Sequence, residues 1–163
     1  MEFKEIIDES QILIDFEAND KFEVIRKLAN LFENKDIYSD KEAYIEAVLE
    51  RESMIATAVG MDVAIPHGKT DIVKRVAVAF GKLKKPIIWA PSDGEGEGER
   101  VQIVFLLAVP DTDKNNTHLK ILASLARALM HDEKREQFIN AKDSKEVLDA
   151  LDNIELKLHE DEW

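Results

Sequence analysis

One run constrains this chain more than any other: "RVQIVFLLAVP", Arg100 to Pro110. Apart from Arg100 and Gln102, its residues are apolar, β-branched or aromatic, and a proline closes it. Such a run predicts a strand buried on both faces, the central strand of a covered sheet. Its apolar core, "IVFLLAV", is far too short to cross a bilayer as a helix. A second run, "VKRVAVAFGKL", has the same β-rich character. "MDVAIPH" reads as a third, short strand. Pro66 has no N–H to give to a ladder, so this strand is expected to end there or to lie at an edge.

Helical spacing surrounds these strands. In "DFEANDKFEVIRKLANLFENKD" the residues Phe22, Ile25, Leu28, Ala29 and Phe32 are expected to face inward, with Asn19 or Asp20 as cap. "SDKEAYIEAVLERES" repeats the pattern, capped by Ser39 or Asp40, with Tyr44, Ala47 and Val48 inward. In "KNNTHLKILASLARALMHD" Leu119, Leu122, Leu125 and Leu129 are expected to share a face flanked by Ile121 and Ala126. "DSKEVLDALDNI" predicts a last helix capped by Asp143 or Ser144. Helices around central strands define an α/β or α+β class with a mixed central sheet. The length of 163 residues, with no repeat and no long linker, predicts a single domain over 1–163.

Composition narrows the function. There is no cysteine, which excludes thiolate chemistry and disulfides and suits a reducing cytoplasm. The N-terminus lacks the pattern of a secretory signal. A net charge of −12 argues against nucleic acid and anionic membranes and suits solubility or a basic protein partner. The loop "SDGEGEGER" only superficially resembles a phosphate cradle. A strand follows it, and its glutamates would repel phosphate, so it reads as a surface turn.

Four histidines are candidates for chemistry. His131 and His159 follow helical segments among charged residues and read as solvated. His67 stands between Pro66 and Gly68 at the expected strand end; local context alone leaves open whether it merely ends the strand or is reached by another molecule. His118 falls in the first turn of a helix that Asn116 or Thr117 would cap. Helix starts expose free N–H groups and favour anions. If the two histidines face each other, His67 would be a nucleophile and the helix start would receive new negative charge, an arrangement suited to phosphoryl transfer. Two histidines with abundant carboxylates also leave a metal-dependent hydrolase open, although no HExxH-like spacing is present.

The motifs "LERES", "TAVGMDVAIPHGK", "VFLLAVP" and "HLKILASLAR" resemble, in order and rough spacing, the fructose–mannitol class of enzyme IIA domains (EIIA type 2) of the bacterial sugar phosphotransferase system, the PTS. The resemblance covers nearly the whole chain. It implies a mixed sheet with helices on both faces and no metal or organic cofactor. It implies that His67 is the phosphorylated histidine, that His118 lies close to it, and that Arg51 lies near the phosphoryl group. Thr57 would support the site through its hydroxyl, and Asn116 would support it at the helix start. The implied partners are the phosphocarrier HPr, or a relative of it, and an enzyme IIB domain, in the cytoplasm. A PTS-related regulator whose histidine phosphorylation controls a partner is the alternative. Where the family often has "TGIGNGIAIPH", this chain has Ala58 for a glycine and Met61–Asp62 for Asn–Gly. These changes predict a stiffer turn and a new negative charge that would destabilise phosphohistidine if it lies near His67.

Overall fold

A computed structural model describes residues 1–91 and 96–157. Its strands are β1 (Ile12–Phe16), β2 (Ala58–Gly60), β3 (Val63–Ala64), β4 (His67–Thr70), β5 (Ala77–Trp89) and β6 (Glu99–Pro110). Its helices are α1 (Lys21–Asn30), α2 (Lys41–Met54), α3 (Thr117–Leu129), α4 (Asp132–Ile139) and α5 (Ser144–Asp152). The strands form one sheet in the order β1-β5-β6-β3-β2, and β4 also pairs with β6. β5–β6 and β2–β3 are antiparallel. β1–β5, β3–β6 and β4–β6 are parallel, so the sheet is mixed.

Alternation along β6 explains the layers. Ile103, Phe105, Leu107 and Val109 point into a core shared with α3, α4 and α5. Val104, Leu106 and Ala108 point into a second core, shared with α1 and α2. A run buried on both faces requires two cores, and the helices supply them. On the α1/α2 face two glycines let the helices come close. A Cβ on Gly81 would stand 2.8 Å from Leu28 Cδ2, and one on Gly68 would stand 2.9 Å from Val48 Cγ2. The helices therefore sit directly on the backbone at both points.

Several expectations need correction. "MDVAIPH" is not one strand ended by Pro66. It holds two short strands, β3 and β4, both parallel to β6, with Ile65 and Pro66 between them. Pro66 lacks an N–H, but its carbonyl accepts from Leu107 N–H at 3.0 Å, so the interruption stays tied to β6. His67 thus opens a strand rather than closing one, and that strand's other edge carries no partner strand among the described residues. Phe22 is 54 % exposed, because α1 buries Lys21, Val24, Ile25, Leu28 and Ala29, a stripe one step round the helix. In α3 the inward stripe is Thr117, Ile121, Ser124, Leu125 and Leu129, while Leu119 and Ala126 face out. Ser124 belongs there because its hydroxyl accepts from Lys157 N–H at 3.0 Å, which satisfies it inside the packing. Ile45 is buried in α2, where Ala47 is half-buried. Asp20, Asp40 and Asp143 cap α1, α2 and α5, each accepting from a backbone N–H three residues on. Ser92 to Glu95 of the acidic loop, and His159, lie outside the described residues.

Candidate functional site

His67 is held by its neighbours' backbone. Opposite Leu107 in the register, it projects on the α3 side of the sheet, because the next residue, Gly68, faces α2. Its Nδ1 lies 3.1 Å from the Ile65 carbonyl. A carbonyl only accepts, so this hydrogen bond needs the proton on Nδ1 and leaves the lone pair on Nε2. Burial pushes the ring's pKa below the usual 6.5, and the positive charges of Arg51 and His118 push it the same way. The Ile65 hydrogen bond and Glu52 oppose them. With its pKa below the ordinary value, the half-buried ring favours the neutral form at pH 7, with the lone pair on Nε2.

The last turn of α2 supplies two adjacent residues that point in different directions. Arg51 is half-exposed, and its Nη1 donates to the Ile55 carbonyl at 2.9 Å. Glu52 is buried, with only 2 % of its surface exposed. Its Oε1 accepts from Trp89 Nε1 at 2.7 Å, from Thr57 N–H at 3.1 Å and from Lys21 Nζ at 3.3 Å. Its Oε2 accepts from Thr57 Oγ1 at 2.6 Å. The Thr57 hydroxyl is thus committed to Glu52. Thr57 reaches the histidine segment through its carbonyl, which accepts from Ile65 N–H at 3.0 Å.

The start of α3 differs from the expected open anion site. Asn116 is the first capping residue, but it sits in the left-handed region at φ 53 and its side chain caps nothing. Asp113 does the capping. Its Oδ2 accepts from Thr117 N–H at 2.7 Å and its Oδ1 from Thr117 Oγ1 at 2.8 Å. A carboxylate already stands where an incoming anion was expected. His118 follows, with Nδ1 buried, unpartnered, and 3.9 Å from Asp113 Oδ2. Burial lowers its pKa, the Lys69 charge lowers it further, and Asp113 opposes both. Lys69 and Asp113 escaped sequence reading. Lys69 is two residues beyond His67 on β4, so both project from the same face, a relation visible only once His67 is known to open a strand.

Other candidates are dispersed. Asp62 lies in the β2–β3 turn, where its carbonyl accepts from Gln102 and Ile103, whereas His67 is level with Leu107. Four residues of strand put Asp62 about 13 Å away along β6. Its side chain faces Arg100 at 3.7 Å. The feared repulsion with a phosphoryl group on His67 is therefore relieved by distance and by a counter-charge. His131 is an exposed residue at the start of α4. Among the described residues no group of three His, Asp or Glu side chains is gathered as metal ligands. No described helix is long and apolar enough to cross a membrane.

The site thus gathers an imidazole with Nδ1 held by a backbone carbonyl, within electrostatic reach of the Arg51 guanidinium and the His118 imidazole. Residues 5–154 match the model of the phosphoenolpyruvate-dependent sugar phosphotransferase system EIIA 2 family, and the chain belongs to that family. It is 31% identical over 142 residues to a PTS system fructose-like EIIA component of Escherichia coli (strain K12), covering 87% of this chain and 92% of the relative. It is 32% identical over 151 residues to a PTS system fructose-specific EIIABC component of Bacillus subtilis (strain 168). There it covers 93% of this chain but only 23% of the much longer relative. The crystal structure of nitrogen regulatory protein IIA-Ntr from Neisseria meningitidis superposes with a TM-score of 0.79 at 28% identity, covering 90% of this chain and 97% of that one.

Proposed function

We propose that this protein, as a single EIIA domain of the cytoplasm, carries a phosphoryl group on Nε2 of His67, taking it from a phosphorylated HPr-type carrier and passing it to an enzyme IIB domain during sugar uptake. The Nε2 lone pair forms the new N–P bond as the donor's N–P bond breaks and its electron pair returns to the donor imidazole. On release, the enzyme IIB acceptor, a cysteine thiolate, takes the phosphoryl group and the pair returns to Nε2. The proton stays on Nδ1 throughout, hydrogen-bonded to the Ile65 carbonyl. Arg51 and Lys69 offset the added negative charge, and His118 lies within electrostatic reach of the reacting ring. Met54 and Ile55, just past Arg51, and Leu119, beside His118, are exposed and offer apolar surface to a docked partner.

The hydrogen bond from Nδ1 to Ile65 carries this reading, because it selects the free nitrogen. The test is incubation with phosphoenolpyruvate, enzyme I and HPr, followed by intact-protein mass spectrometry. One phosphoryl group is expected on the wild type and none on His67→Ala. Labelling of His67→Ala would refute the assignment. The likeness to a nitrogen regulatory protein supports a second reading, in which the phosphorylation state of His67 controls a partner. Transfer onward to an enzyme IIB cysteine separates the two: it occurs in the transport reading and is absent in the regulatory one.

A further inference from the structure

Glu52 has no part in the chemistry above, yet it is a buried carboxylate with four donors on its two oxygens. Lys21 and Trp89 approach from α1 and β5 and would suffice for a staple between elements. The other two donors both belong to Thr57. Its N–H and its hydroxyl take one oxygen each, which fixes how that residue is turned. So turned, its carbonyl meets Ile65 N–H at 3.0 Å. Ile65 lies in the break between β3 and β4, and its own carbonyl meets His67 Nδ1 at 3.1 Å.

We propose that Glu52 is a positioning residue, which acts through Thr57 and the Ile65 peptide to keep the His67 proton on Nδ1 and its lone pair on Nε2. The consequence for transfer rests on the carrier reading; the effect on the ring does not. Other charges near the two histidines are Arg51 from α2, Lys69 from β4, and His118 and Asp113 at the start of α3. None of them donates to or accepts from the Ile65 peptide. They bias the charge on the ring, whereas the Glu52–Thr57–Ile65 connection decides which nitrogen holds the proton.

The test reads the two ring-nitrogen shifts of His67 in the 15N-labelled full-length chain at pH 8, assigned by their loss in His67→Ala. The variants are Thr57→Val, Glu52→Gln and Lys21→Met/Glu52→Gln. The double variant removes both buried charges together and so leaves no orphaned lysine. The wild type is expected to show one protonated and one free nitrogen, with Nε2 free. Each folded variant is expected to show averaged shifts from mixed tautomers, and phosphoryl acceptance slower by about tenfold, as when an imidazole loses the partner that orients it. Lys82→Met removes a different buried lysine, one that binds the Ile139 and Ala141 carbonyls. It is expected to lower stability while leaving the His67 shifts alone. Wild-type shifts in folded Thr57→Val and in the double variant would overturn the proposal; if the double variant fails to fold, Thr57→Val decides. Altered shifts in a protein whose wild type never accepts phosphate would sink the carrier reading and leave the positioning role standing.

Discussion

Asp113 and His118 face each other across 3.9 Å at the first turn of α3, and the same carboxylate caps the helix. One group thus serves two ends: it satisfies the helix start and it raises the affinity of His118 for a proton. Asp113→Asn keeps an acceptor but loses the charge. Its expected cost is about 1 kcal/mol of stability, the usual worth of a cap. The His118 pKa is expected to fall further below its ordinary value, because burial and Lys69 then act unopposed. Urea denaturation and an NMR titration of His118 read both effects. A His118 that titrates higher in the variant would show that the carboxylate does not act on it.

Both site histidines have folded pKa values below the ordinary 6.5. Well above pH 6.5 they are neutral, folded or unfolded, and stability does not depend on them there. As pH falls below 6.5 the unfolded chain takes up these protons first. The unfolded state then binds more protons, so stability drops with pH until the folded pKa values are reached. His67→Ala/His118→Ala is expected to flatten that part of the profile. Phosphoryl acceptance is expected to fall to half its maximal rate only below pH 6.5. A rate already halved at pH 7 would mean that the ring is not held neutral. Asp113 acts in a lower window: its folded pKa lies below 3.8, so its contribution is intact above that value and is lost on further acidification.

What the sequence disclosed follows physical range. The β6 run announced a doubly covered strand because period and composition are local properties, and Ile103 to Val109 are buried throughout. Aspartate caps were legible for the same reason. The buried stripes of α1 and α3 were shifted by one step because Lys21 and Ser124 count as polar in sequence, yet hydrogen bonds hold both inside. Glu52 was invisible for the complementary reason. Its donors come from Lys21, Thr57 and Trp89, and only the fold brings those positions together. His67 and His118 were legible as residues. The cap from Asp113 and the strand register that brings in Lys69 were not, since both depend on where a strand begins or a loop turns.

Gly68 sets how closely α2 approaches the strand that carries His67. A Cβ there would lie 2.9 Å from Val48 Cγ2 and 3.1 Å from Tyr44 Cε1. Tyr44 is pinned in turn, since its hydroxyl donates to the Leu107 carbonyl at 2.7 Å. Gly68→Ala is therefore expected to cost about 2 kcal/mol through overpacking and to slow phosphoryl acceptance by moving His67. Val48→Ala opens space at the same contact. The double variant is expected to lose less than the sum of the single losses, because the two sites touch. Strict additivity in thermal or urea melts would place the strain elsewhere.

The β2–β3 turn holds three consecutive left-handed residues: Gly60 at φ 87, Met61 at φ 57 and Asp62 at φ 65. Two residues with positive φ between antiparallel strands call for Asn–Gly, the pair that Met61–Asp62 replaces. An unbranched side chain such as that of Met61 costs about 1 kcal/mol in this region. Met61 has one compensating contact, its Sδ lying 3.2 Å from Arg135 Nη1, and Asp62 keeps its pairing with Arg100. Both are exposed side-chain interactions of small worth. Met61→Asn/Asp62→Gly is therefore expected to raise stability by about 1 kcal/mol, read as a higher urea midpoint at unchanged slope. Because the turn stands about 13 Å from His67 along β6, the rate of phosphoryl acceptance is expected to stay the same. A stabilised variant with an altered rate would mean that this turn touches a docked partner rather than acting only on the fold.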